Sequence, residues 1–336
     1  MRRLSILYLL LMLGLLLSCE TEIPFNGTIT EPVLVVNCVA CTDSALQVNI
    51  SASRFFLSSE VDFPAISDAT VALYVNEIFR ENLTPNGEGQ YQSMYIPSEG
   101  DVVRLNVSAS GFNPVWAETA IPTAVAGFQI DSTITKTDTV PLQNDVSNDY
   151  GGVPSPAPTS ESIIMTYSYI HQYKIRFTNP AGERNYFRLV VRQMDTKDGI
   201  YYGNSYLNDF SDIVFGTKNE TASGLVNTSN RDHYNVFSDD LIDGATHTIS
   251  FSYTQSFKLD ADTTLFKDTV SNKDWSLTID LQSISKSYYL YLLSLKALGS
   301  SDGFMSEPVQ IYTNINGGLG IFGARTIHPR KFILPK

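Results

Sequence analysis

Val103-Arg104-Leu105-Asn106-Val107-Ser108-Ala109 alternates apolar and polar side chains at every step, and Gly111 follows the run. A period of two places Val103, Leu105, Val107 and Ala109 on one face of a strand. The pattern recurs upstream: Leu46, Val48 and Ile50 alternate, as do Val71, Leu73 and Val75. Val33-Leu34-Val35-Val36 is an apolar run of the buried kind, and Val115-Trp116-Ala117 is a last strand closed by Pro122. Pro85-Asn86-Gly87 marks a turn, because Asn-Gly tolerates positive φ. Short strands punctuated by turns, with no helical period, predict an antiparallel sandwich over residues 31–123.

The remainder, 124–336, reads as a second β-rich domain. Phe128-Gln129-Ile130 opens it. Residues 144–162 hold Gly151-Gly152-Val153-Pro154-Ser155-Pro156-Ala157-Pro158, a Pro/Gly-rich loop that cannot bury a core. Tyr173, Ile175 and Phe177 alternate, Asn179-Pro180-Ala181-Gly182 turns the chain, and Tyr186 to Val191 returns, so 171–193 reads as a hairpin. One helix is expected at 284–298, where Ile284, Tyr288, Leu292, Leu295 and Leu298 form an apolar stripe. Ser283 or Ser285 caps its start and Gly299 its end, while Tyr289 and Leu293 broaden the stripe. The fold class expected is mainly β: two antiparallel β-sandwich-like domains of the immunoglobulin or transthyretin kind, the second with one amphipathic helix packed on a sheet. Eighteen Tyr, 18 Phe and a charged fraction of 17% agree with strands.

The N-terminus carries an address. Met1-Arg2-Arg3 is a positive start, and Leu4 to Leu17 is apolar. That run is shorter than the roughly 20 residues a spanning helix needs, and fits a secretory signal. Leu16-Leu17-Ser18-Cys19 resembles the lipobox of bacterial lipoproteins. The resemblance implies that 1–18 are a signal peptide, that Cys19 is lipidated with several acyl chains, and that 19–30 are a tether. Several chains are needed because one acyl chain anchors only marginally. Glu20-Thr21-Glu22 resembles the surface-export signal of Bacteroidota lipoproteins, so the expected location is the outer membrane, facing the exterior.

Charge limits the partners. The chain has 23 basic and 35 acidic residues, a net charge of −12. Without Arg2 and Arg3, 21 basic residues face 35 acidic ones, a net charge near −14. Nucleic acid and anionic head groups would be repelled.

Few residues suggest chemistry. Cys38 and Cys41, in Val36-Asn37-Cys38-Val39-Ala40-Cys41, are spaced to close a small disulfide at a turn in an oxidising compartment. A redox pair would instead open a helix after a strand. His171, His233, His247 and His328 fit no metal or triad motif, so neither a catalytic residue nor a cofactor is expected. Asp239, Asp240 and Asp243 before Gly244 crowd carboxylates into a loop. Calcium could use them, but the spacing is not that of the twelve-residue calcium loop, and a turn between strands explains them better. Tyr201, Tyr202, Tyr206 and Phe210, among Asn and Asp, form the expected recognition surface for a sugar or protein partner. Ser44, Ser132, Thr139, Thr263 and Thr269 each follow Asp in triplets resembling the O-glycosylation motif of Bacteroidota.

A broader resemblance rests on longer stretches. These are Leu34-Val35-Val36-Asn37, the turn around Gly89 and Tyr91, Ile175-Arg176-Phe177-Thr178-Asn179-Pro180, and Gly182-Glu183-Arg184-Asn185-Tyr186. Phe237-Ser238-Asp239-Asp240-Leu241-Ile242-Asp243-Gly244, the tyrosine-rich helix, Glu307-Pro308-Val309-Gln310-Ile311-Tyr312-Thr313-Asn314-Ile315 and Asn316-Gly317-Gly318-Leu319-Gly320-Ile321-Phe322-Gly323-Ala324 complete the set. Together they resemble the Bacteroidota lipoproteins grouped as domain-of-unknown-function family 4249. The resemblance implies an envelope lipoprotein, of a kind often found beside TonB-dependent outer-membrane transporters, with no established catalytic residues; the function expected is a non-enzymatic accessory that binds a ligand or docks on such a transporter. An independent surface glycan-binding or adhesion module, using the aromatic loop, is the alternative. The glycines of the last stretch read as a tight structural turn or a close backbone approach.

Overall fold

Alternation governs which side chains each strand buries, and the strands form where it occurs. The computed structural model describes residues 31–55, 62–142, 164–195, 201–204, 212–215, 234–260, 275–299 and 309–333. The signal and tether at 1–30 and the loop at 144–162 lie outside the described residues. The first half supplies β1 (Leu34–Cys41), β2 (Gln47–Ala52), β3 (Thr70–Val75), β4 (Ile78–Asn82), β5 (Thr84–Pro85), β6 (Gln90–Gln92), β7 (Val102–Ser108) and β8 (Val115–Ala120). The second supplies β9 (Ala126–Leu142), β10 (Ile164–Thr178), β11 (Tyr186–Asp195), β12 (Tyr201–Asn204), β13 (Val236–Ser238), β14 (Thr246–Asp260) and β15 (Trp275–Ile284). Helix α1 (Lys286–Gly299), β16 (Leu319–Thr326) and β17 (Pro329–Ile333) end the chain. The protein is mainly β, and the described residues form three sheets and one α-helix.

Strands β4-β3-β7-β8 form a four-stranded antiparallel sheet. Its inward residues Val71, Leu73, Val103, Leu105 and Val107 meet Leu34, Val36, Val48 and Ile50 of β1 and β2 in one core. Burying each such side chain contributes roughly 1.5–3 kcal/mol. A second core lies between the three-stranded sheet β14-β10-β9 and strands β11 and β15. There Tyr173, Ile175, Phe177 and Phe251 face Phe187, Leu189, Leu277 and Ile279.

A ten-stranded sheet joins the halves, in the order β12-β11-β15-β16-β1-β2-β6-β5, with β13 beside β11 and β17 beside β15. Strand β16 makes the join. It pairs with β1 in parallel, from Val35↔Leu319 to Cys41↔Arg325, and its end pairs with β15 at Ser283↔Thr326 and Ile284↔Arg325. Phe322 and Ala324 therefore complete the first core from near the far end of the chain. The sheet is thus not wholly antiparallel, and residue 123 marks no break in it.

Two further expectations are corrected. Residues 171–193 are not a hairpin: β10 belongs to the three-stranded sheet and β11 to the ten-stranded one, so the turn between them changes layer. Of the two readings of the glycine-rich stretch, the turn gives way to a strand over most of its length and the close backbone approach holds. At Gly320 φ is +102°, and a Cβ would lie 2.2 Å from the Val36 carbonyl oxygen. Only glycine lets β16 come this close to β1. At Gly323 a Cβ would lie 2.7 Å from that of Tyr288, so this glycine seats α1 on β16.

Helix α1 starts two residues later than its apolar stripe suggests, because Ile284 is still in the β15 ladder, opposite Tyr186 and Arg325. Ser285 is the cap. Its Oγ accepts from Tyr288 N at 3.4 Å and from Ala324 N at 3.0 Å, and its N–H donates to Ala324 O at 2.9 Å. Tyr288 and Leu292 are buried with Val236 and Ile284, so the stripe faces the protein.

Candidate ligand groove

The inward alternation of β1 turns Val35 and Asn37 to the opposite face of the ten-stranded sheet. With Asn49 and Ser51 of β2 and Leu319 of β16 they form the floor of a groove of about 700 Å3. Asn37 stands directly opposite Asn49 in the antiparallel register. One wall is Tyr291 of α1 with Ile311 and Tyr312; the other holds Arg54 and Phe63. The first wall is fixed by hydrogen bonds: Tyr312 N donates to Ser294 Oγ at 3.1 Å. Asn314 holds Phe322 at both backbone groups, accepting from its N–H at 2.9 Å and donating to its carbonyl at 2.9 Å. Asn316 exchanges backbone hydrogen bonds with Trp116, tying this segment to β8 as well. On the other wall the Arg54 guanidinium lies 4.9 Å from the Phe63 ring centroid. Its Nη1 has no hydrogen-bond partner among the described residues.

Paired amides, hydroxyls and aromatic rings with one cation, Arg54, and one carboxylate, Glu88, suit a polar ligand held by hydrogen bonds and ring contacts. Stretches that carried the family resemblance converge here: Val35 and Asn37 from the first, Ile311 to Thr313 from the tyrosine-containing one, and Leu319 and Gly320 from the glycine-rich one. Sequence reasoning did not find the groove. Asn37 and Tyr312 stood in the motifs, but nothing local says they meet.

None of the predicted site residues that are described lines the groove. The backbone of Tyr201 and Tyr202 forms β12 at one end of the ten-stranded sheet, with Tyr201 opposite Met194. Their side chains, and Tyr206 and Phe210 altogether, lie outside the described residues, as do Cys19, Thr263, Thr269 and the side chain of Thr139. Ser44 is exposed just after β1 and donates to Asp43 Oδ1 at 3.0 Å, and Ser132 is exposed on β9.

The disulfide is a correction. Cys38 and Cys41 are free and buried. Strand β1 runs through both instead of turning, and three strand residues span about 10 Å. A disulfide tolerates a Cα separation of at most about 7 Å. Burial pushes the Cys38 thiol up to about 12, so it stays protonated at neutral pH and is a core side chain. The Cys41 thiol is raised by burial and by its hydrogen bond to Asp43, whose carboxyl is lowered by the same bond.

Asp239, Asp240 and Asp243 join two turns. Asp239 is 3% exposed, and its Oδ2 accepts from Asn179 Nδ2 at 3.0 Å, Asn185 N at 2.9 Å and Asn185 Nδ2 at 3.0 Å. Asp240 pairs with Arg184, and Asp243 accepts from Gly182 N at 3.2 Å. The carboxylates thus staple the β10–β11 connection to the β13–β14 turn. No group of three or more metal-ligating side chains occurs among the described residues. Two stretches of the resemblance, around Asn179–Tyr186 and Phe237–Gly244, are the halves of this one network.

No curated protein matches the chain. A protein-family model, described as a domain of unknown function (DUF4249), matches residues 20–330. The match takes in both cores, the groove and the stapled turns, and the chain belongs to the DUF4249 family.

Proposed function

We propose that the chain is an outer-membrane lipoprotein, held by acylated Cys19 after removal of residues 1–18 and facing the cell exterior. The observation that carries this is the agreement of two boundaries. The family match starts at residue 20, one residue past the cysteine of Leu16-Leu17-Ser18-Cys19. Family sequence therefore begins where a lipoprotein signal would end. Two apolar cores, each between two layers of sheet, support a description as two sandwich-like units of immunoglobulin or transthyretin kind that share the ten-stranded sheet.

In this reading the protein is a non-enzymatic accessory of a TonB-dependent transport system. It captures a ligand or docks on the transporter barrel. The transporter link rests on the family resemblance. The groove supports capture, because its amides, hydroxyls and rings, with Arg54 and Glu88, offer hydrogen-bond and ring contacts to a polar ligand. Co-purification from native membranes is the test. A stoichiometric outer-membrane barrel is expected. Glycan-array binding in the absence of any barrel partner would overturn the accessory role and favour an independent adhesion module.

A further inference from the structure

The outward face of the four-stranded sheet carries a shallow dish of about 390 Å3. Its floor is made of small side chains, Thr70 and Ala72 of β3 with Asn106 and Ser108 of β7. Register places them together: Thr70 is opposite Ser108, and Ala72 is opposite Asn106. Tyr74, opposite Arg104, bounds the dish two residues further along, and Trp116, opposite Asn106, bounds it on the next strand. Two strand spacings and two residues of rise separate Tyr74 from Trp116 by about 12 Å of backbone.

The rims are aromatic and open. Trp116 is 42% exposed, and Phe79, whose ring centroid lies 5.6 Å from that of Tyr74, is 52% exposed. Exposed rings gathered on one face mark a binding surface. Arg104 is held in place between them. Its guanidinium lies 4.4 Å from the indole centroid, and its Nε donates to Asn106 Oδ1 at 3.0 Å. Among the described residues its terminal nitrogens have no hydrogen-bond partner.

We infer that this dish binds a saccharide lying across the strands. One sugar ring packs against Trp116 and the next against Tyr74, over the small side chains, while Arg104 and Asn106 hydrogen-bond the hydroxyls. The apolar face of a sugar ring suits an aromatic rim, and its hydroxyls need fixed donors beside that rim. A wholly apolar ligand would bury the terminal nitrogens of Arg104, leaving them only the indole face. A polyanion such as nucleic acid would meet a chain of net charge −12. The site lies on a different sheet from the groove and does not depend on a transporter.

Calorimetric titration of the detergent-solubilised full chain with the neutral oligosaccharides cellohexaose, xylohexaose and mannohexaose tests it. At least one probe is expected to bind, and Trp116→Ala to weaken that binding at least tenfold. Trp116 is tied to Asn316 through its backbone, which the substitution keeps. Arg104→Gln leaves the indole in place and is expected to cause a comparable loss. Binding that survives both substitutions, or no binding of any probe by the unaltered protein, overturns the inference.

Discussion

Asp239→Ala is expected to lower the unfolding free energy by roughly 4 kcal/mol, a large part of the usual 5–15 kcal/mol total. The carboxylate accepts three hydrogen bonds at 2.9–3.0 Å in a buried position. Hydrogen bonds to charged groups contribute about 1.5–3 kcal/mol each; without the carboxylate Asn185 Nδ2 keeps only backbone carbonyls, nearest Glu183 O at 2.8 Å, and Asn179 Nδ2 keeps only the long contact to Ile242 O at 3.4 Å. Asn179 and Asn185 lie in the connection between the three-stranded and ten-stranded sheets, so the loss loosens the junction of two layers. Asp243→Ala is the control. That residue is exposed and accepts one 3.2 Å bond from Gly182, so its removal is expected to cost no more than about 1 kcal/mol. Urea midpoints read the difference; equal shifts for the two variants would refute the staple.

Gly320→Ala is expected to destabilise by about 3 kcal/mol or more. Two causes add. The residue holds φ at +102°, which costs an L side chain about 1–3 kcal/mol, and the new methyl would lie 2.2 Å from Val36 O. The only relief is to move β16 away from β1, which breaks the parallel ladder and withdraws Phe322 and Ala324 from the first core. Gly182→Ala separates the causes. Gly182 has φ +97° but nothing within 4 Å of a Cβ, so it reports backbone strain alone. Thermal unfolding should show a much larger loss at Gly320. Matching losses would mean that the close approach to β1 is unimportant.

Strand faces were legible because they are local. Val71, Leu73, Val103, Leu105 and Val107 are buried where a period of two puts them, and Ser285, one of the two expected caps, caps the helix. Pairing partners were not legible. Alternation in Leu34–Cys41 says which side chains point inward, not that the neighbour will be a strand nearly 300 residues away. The glycines of β16 read as a turn or a close backbone approach; the close approach is what Gly320 makes, but that Val36 and Tyr288 are the neighbours is fixed only by the pairing. The groove stayed hidden for the same reason: Asn37, Asn49, Arg54 and Tyr312 come from separate segments gathered by the sheet and by the hydrogen bonds of Ser294 and Asn314. Cys38 and Cys41 resembled a clip because spacing alone does not reveal that the strand stays extended through both.

Membrane attachment through Cys19 is the claim on which location and transport role both depend. Fractionation of cells making the Cys19→Ser chain tests it most directly. The unaltered protein should sediment with the outer membrane, resist a high-salt wash and require detergent for release, while the serine chain should be recovered in the soluble fraction. A serine chain that still sediments with the membrane and still needs detergent would contradict the account.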